Sequence, residues 1–137
     1  MNRLLDAGRL AASVLLVVAA MAEGLVIAQQ PGFVVTPLLR ADLSGDPGRV
    51  VVIARGEFAP GAATGRHSHF GDEYATVIEG MLEVAATGQP PRRYVVGEAY
   101  HNARGVVHDT RNVGQTRARV VSTLIVDAGR PLIEPAD

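Results

Sequence analysis

His67, His69, Glu73 and His108 are spaced so that three imidazoles and one carboxylate can gather around a single divalent metal ion. The first three sit in the stretch Gly61-Ala-Ala-Thr-Gly-Arg-His67-Ser-His69-Phe-Gly71-Asp-Glu73, and the fourth in Gly105-Val-Val-His108-Asp-Thr-Arg-Asn112. The chain has 4 histidines in all, so three of them fall in the pattern. Imidazole nitrogen and carboxylate oxygen suit Fe(II) and Mn(II), as well as Ni, Co, Cu or Zn. On an extended chain His67 and His69, two apart, project to one face. Glu73 follows Gly71, where a turn can bring the next strand back beside them, and His108 must arrive from a distant strand pair. Three neutral imidazoles and one carboxylate leave a divalent ion with one net positive charge. An octahedral ion also keeps open positions, which separates a chemical site from a structural one. The competing readings are histidines that satisfy core hydrogen bonds and a metal that only stabilises the fold.

Such a site needs a framework that carries ligands from separate strands into one pocket. The 137 residues allow one domain, with or without a targeting segment. Hydrophobic residues make up 47%, but aromatics only 4% and tryptophan is absent, so the core must be built from Val, Ile, Leu and Ala. With 15 glycines and 8 prolines the composition favours short strands joined by turns. Phe33 to Leu39 reads as a strand that Pro37 confines to a sheet edge, and Ser44 to Gly48 as a turn. Arg49 to Phe58, Tyr74 to Glu79, Met81 to Ala86, Arg93 to Val96 and Arg117 to Val126 read as further strands, with a pivot at Gly80. The tail from Gly129 shows no periodicity. About eight short strands predict an all-β sandwich or barrel. The net charge of -1 and the lack of a basic stripe argue against nucleic acid as a partner. The absence of cysteine removes disulfides and thiolate chemistry.

The leader is different in kind. After Arg3 and Arg9, the run Leu10 to Ala22 carries no charge and covers every face of a helix. Small-x-small cleavage candidates follow at Ala22 and Ala28. The expectation is a signal peptide over residues 1–28, an exported mature domain over 29–137, and a periplasmic or secreted location. An uncleaved membrane anchor over Leu10 to Ala28 is the alternative, with Glu23 a cost within the span.

The two ligand-bearing stretches resemble the two motifs of the cupin superfamily, in its small single-domain form. Gly61, His67, His69, Glu73 and Gly80 meet the fixed positions of the first motif. Gly97, Gly105, His108 and Asn112 meet those of the second, with Ala103 where the family has proline. The resemblance implies a jelly-roll β-barrel (a double-stranded β-helix), here preceded by the apolar N-terminal helix. It implies His67, His69, Glu73 and His108 as metal ligands, with Glu73 doubling as a proton acceptor, and a homodimer formed by strand exchange at an open edge.

For function, the intact ligand set points first to an oxidoreductase of dioxygenase type acting on a small organic molecule. The alternatives are a non-enzymatic module that binds a small ligand or metal, and an isomerase or decarboxylase, which would need a second acid or base. Around the ligands, Ala75 and Val77 share the alternation of Glu73 and should face the interior. Tyr100 and His101 alternate, so at most one points inward. Arg66, Tyr74 and Arg104 read as packing or outward residues. Asp109 is a candidate to orient an imidazole, Asn112 a structural residue, and the glycines at 61, 80, 97 and 105 backbone requirements.

Overall fold

The computed structural model describes residues 30–137. The helix expected over the leader, and the choice between signal peptide and anchor, lie outside the described residues. Among the described residues there are ten strands and no helix. In order they are β1 (Phe33–Leu43), β2 (Asp46–Phe58), β3 (His67–Ser68), β4 (Gly71–Glu79), β5 (Met81–Ala86), β6 (Arg92–Val95), β7 (Ala99–Asn102), β8 (His108–Asn112), β9 (Ala118–Asp127) and β10 (Glu134–Pro135).

All pairings are antiparallel, and the strands form two five-stranded sheets. The first runs β1-β2-β9-β4-β7 and the second β10-β3-β8-β5-β6. This is the two-layer jelly-roll arrangement that the motifs imply. The chain changes sheet between β3 and β4 and again between β4 and β5, which places His67 and Glu73 on opposite layers. Gly80 makes the second change with φ +73, at a point where a Cβ would lie 2.6 Å from the Arg117 carbonyl oxygen.

Period-two alternation fixes which face is buried. On β9, Ala118, Val120, Ser122, Leu124 and Val126 face inward, and Val50, Val52, Ala54 and Phe58 do so on the paired β2. Ala75 and Val77 of β4 are buried with them, as their alternation with Glu73 predicts. Phe33 and Phe58 pack with ring centroids 4.5 Å apart and planes tilted by 34°. Each fully buried side chain of this size contributes about 1.5–3 kcal/mol. Pro37 does lie on an edge strand, where the register with β2 shifts between Pro37 and Leu39.

The tail departs from its aperiodic reading. Glu134 and Pro135 pair with Ser68 and His67, and Leu132 is buried in the core, so the last residues close the second sheet beside the histidines.

Candidate metal centre

β3 and β8 lie side by side, with His67 directly opposite His108. His69 follows β3 as the chain leaves the second sheet, and Glu73 enters from β4 of the first. The site therefore lies between the layers, and the three histidines are all buried. Their ring centroids are 4.3–5.1 Å apart, and one ligating nitrogen from each lies within 4.8 Å of the others. Glu73 Oε2 is 3.4 Å from His108 Nε2 and 3.6 Å from His69 Nε2.

Hydrogen bonds on the far side of each ring determine what it presents to the centre. His67 Nδ1 lies 2.8 Å from the Gly65 carbonyl, His69 Nδ1 2.7 Å from the Leu132 carbonyl, and His108 Nδ1 3.0 Å from the Val106 carbonyl. A carbonyl only accepts, so Nδ1 must donate in all three rings. In the neutral imidazole the Nε2 lone pair is then left facing inward. His69 Nε2 and His108 Nε2 are buried without a hydrogen-bond partner. Buried polar atoms normally have partners, and two that lack one, aimed beside a carboxylate oxygen, fit a metal ion. Three buried histidines with this common orientation can hold one.

The electrostatics agree. Burial is the main cause that holds His67 down to about 4, with the neighbouring His108 acting the same way, so His67 is neutral at physiological pH. Burial works against charge on His69 too, but the Glu73 carboxylate outweighs it and raises its pKa. Burial alone would neutralise Glu73, yet the adjacent His108 and His69 imidazoles keep it ionised, well below the usual carboxylate range. One anion among imidazoles is the donor set a divalent cation requires.

Two contributors were not visible in the sequence. Asn102 sits opposite Glu73 in the β4–β7 pairing and donates its amide to Glu73 Oε2 at 2.8 Å. The Leu132 carbonyl orients His69 from 63 positions away. Alternation offered a partial signal for Asn102, because it lies two residues beyond inward-facing Tyr100 and a buried amide needs a partner. Nothing marked Leu132.

Around the centre, Tyr100 points inward and His101 outward. Burial is the main cause that raises the Tyr100 phenol pKa, with the Glu73 carboxylate adding to it. His101 Nε2 lies 2.8 Å from Asp72 Oδ1, and its ring stacks on Tyr74 at 4.8 Å. Arg66 is exposed, and Arg104 clamps Asp127 and the Phe70 carbonyl. Asp109 does not orient an imidazole: its carboxylate accepts from the Thr64 hydroxyl, and all three Nδ1 atoms are served by backbone instead. Asn112 is structural, donating to the Phe58 and Thr116 carbonyls and accepting from Gly114 N–H. The turn containing Ala103 forms without the proline, closed by Val106 N–H to the Ala103 carbonyl and tied to the site by Gly105 N–H to the His69 carbonyl.

The family model described as "Cupin domain" matches residues 54–126, which include every residue of the centre except the tail. The chain is a cupin. The β-alanine degradation protein BauB of Pseudomonas aeruginosa is 36% identical over 78 residues, covering 55% of this cupin and 81% of BauB. The HTH-type transcriptional regulator PuuR of Escherichia coli K12 is 31% identical over 80 residues. That match covers 58% of this cupin and 43% of PuuR, so the chain spans less than half the regulator's length. Among solved structures, a recombinant oxalate oxidase in complex with glycolate superposes with a TM-score of 0.62 at 27% identity. That superposition covers 84% of this cupin and 62% of the oxidase.

His67, His69, Glu73 and His108 themselves line a cavity of about 60 Å³, room for roughly four to six waters at about 10–15 Å³ each. Its walls include Phe33, Val35, Phe58 and Leu124, with hydroxyls from Thr64, Thr110 and Ser122. No lysine or arginine is among the lining residues.

Proposed function

We propose that this cupin is a metal-dependent oxidoreductase of dioxygenase type, acting on a small organic molecule. The observation that carries the reading is the common orientation of the three imidazoles, with a carboxylate held ionised beside them. His67, His69, His108 and Glu73 would be the ligands. A divalent ion, Fe(II) or Mn(II) first, would supply open coordination positions and redox chemistry there. The protein's own residues define the rest of the site. Glu73 stays deprotonated through its imidazole neighbours, which makes it a weak proton acceptor while it remains among them. Tyr100 lines the cavity as a neutral phenol that offers a hydrogen bond rather than a proton. The small, largely apolar cavity limits water, and the absence of a cationic lining residue favours a neutral or singly charged substrate that binds through oxygen. The likeness to an oxalate oxidase crystallised with glycolate supports a substrate of that size.

The test is oxygen uptake by protein loaded anaerobically with Fe(II) or Mn(II), screened with small phenols, diketones and hydroxy acids. Uptake should disappear in His69→Gln and Glu73→Gln. Uptake that survives both substitutions overturns the assignment.

A second reading is favoured by the match to a transcriptional regulator and by the shortage of proton-transfer groups besides Glu73. In it the centre binds a small ligand without turnover, and tight binding with no oxygen consumption under any metal would establish it. We also propose export, with cleavage after Ala28, which an N-terminus at Gln29 in mass spectra of the mature protein would verify. A homodimer is proposed on the family resemblance, and light scattering would test it.

A further inference from the structure

A second and larger depression lies where the two sheets part, between β6 at the end of one and β7 at the end of the other. This groove has a volume of about 610 Å³, against about 60 Å³ for the cavity at the metal centre. Small-molecule pockets commonly have volumes of about 300–1,000 Å³. One wall is built by Val84, Thr87, Arg92 and Tyr94, the other by Tyr100 and Asn102. Tyr100 also lines the metal cavity, and Asn102 is bonded to Glu73. A partition one side chain thick therefore separates the groove from the centre.

The chemistry of the lining is one-sided. Arg92 and His101 are its basic members, and no carboxylate lines it. His101 is already engaged by Asp72 at 2.8 Å. Arg92 reaches Glu98 only at 4.0 Å, and its guanidinium lies over the Tyr94 ring, 4.8 Å from the centroid. That leaves a planar cation, with its hydrogen-bonding fork little used, beside an aromatic face. Val84, Ala86, Pro90 and Val106 add apolar surface around it. A phosphate would call for several cations or a cradle of amides, whereas one guanidinium with an apolar slot matches a single carboxylate on an apolar body.

We propose that the groove is a binding site for an organic monocarboxylate with an aromatic or apolar body. The carboxylate lies on Arg92 and the body between Tyr94 and Val106, against the Asn102 partition. The site does not depend on the metal reading, because none of the residues that would hold the ligand is a candidate metal ligand.

The test uses metal-free protein and 2-naphthoate, whose fluorescence can be followed directly because the chain contains no tryptophan. Saturable binding is expected, with NMR shifts at Thr87, Gln89, Tyr94 and the Asn102 side-chain amide. Arg92→Gln should weaken it about tenfold or more through loss of the charged fork, and Thr87→Phe should block the groove. The neutral analogue 2-naphthalenemethanol should bind about tenfold or more weakly for the same reason. His67→Gln, which alters the metal cavity, should leave the affinity within about twofold, as expected of independent sites. Equal binding by Arg92→Gln, equal affinity for the neutral analogue, shifts centred on His67 and His108, or no saturation at millimolar probe would each overturn the proposal.

Discussion

Asn102 and Glu73 face each other across β4 and β7, and the amide of the first holds an oxygen of the second at 2.8 Å. That oxygen, Oε2, is the one nearest His69 and His108. The amide thus fixes the carboxylate's orientation before any ion arrives. Asn102→Leu removes the donor while keeping the branched heavy-atom shape of the side chain. The expected outcome is metal affinity lower by about 10–100-fold, the usual cost of losing a partner behind a ligand. Competition against a chromophoric chelator measures it, and an unchanged affinity would refute the role.

The tail plays the same part for His69. Truncation after Arg130 removes Leu132, whose carbonyl accepts from His69 Nδ1, and the β10 residues that pair with His67 and Ser68. With its Nδ1 partner gone, His69 can turn or change tautomer. We expect metal affinity to fall by about tenfold or more. Burial of Leu132 is lost as well, worth about 1.5–3 kcal/mol, so the melting temperature should drop in parallel. A truncated protein that binds metal as tightly as the full chain would count against the tail.

These two residues show where the sequence stops being informative. The candidate ligands were legible because His and Glu at such spacings have few other reasons to occur together, and the strands were legible because alternation and β-branching mark a half-buried sheet. Arg49 to Phe58 and Arg117 to Val126 are read correctly as strands from their β-branched composition. Asn102 and Leu132 act across 29 and 63 positions, and a backbone carbonyl carries no residue-type signature at all. Asp109 misleads for the converse reason. Its position next to His108 on a strand turns it away from the ring, and it bonds Thr64 instead.

Gly71 separates two reasons for glycine. It is not in the left-handed region, but a Cβ there would lie 1.9 Å from the Ile125 carbonyl oxygen and 2.6 Å from the Val126 Cα. Both are backbone atoms of the adjoining strand, so the clash cannot be relieved by a rotamer change. Gly71→Ala should cost about 4 kcal/mol or more, or prevent folding, and would shift Glu73 two residues on. Gly97, at φ +88 with nothing near its missing Cβ, should cost only the backbone strain of about 1–2 kcal/mol as Gly97→Ala. Urea denaturation of the pair decides the matter. Similar losses would mean that close approach at Gly71 is not what requires glycine.

The last prediction concerns acid. In the unfolded chain His67 takes up a proton near its ordinary 6.5, whereas in the fold burial, then the adjoining His108, hold it down to about 4. Between those values the unfolded chain carries the extra proton, so metal-free protein should lose stability as pH falls from 6.5 towards 4. At 1.36 kcal/mol per unit the loss approaches about 3 kcal/mol. His69 acts in the opposite sense. The Glu73 carboxylate overcomes the effect of burial and raises its pKa, so its contribution is present below 6.5 and fades as pH rises through the raised value. Glu73 remains ionised across this window because His108 and His69 keep it far below the ordinary 4.5. Its contribution is present above 4.5 and lost only at lower pH, so the acid slope between 6.5 and 4.5 belongs to His67. Urea denaturation of metal-free protein at pH 7.0, 5.5 and 4.5 measures that slope, and His67→Gln should flatten it. Bound metal requires the same deprotonated rings, so in loaded protein the affinity should decline over the same interval. A stability profile that is level from pH 7 to 4.5, or a His67→Gln profile as steep as the parent's, would mean that His67 is not held neutral by burial.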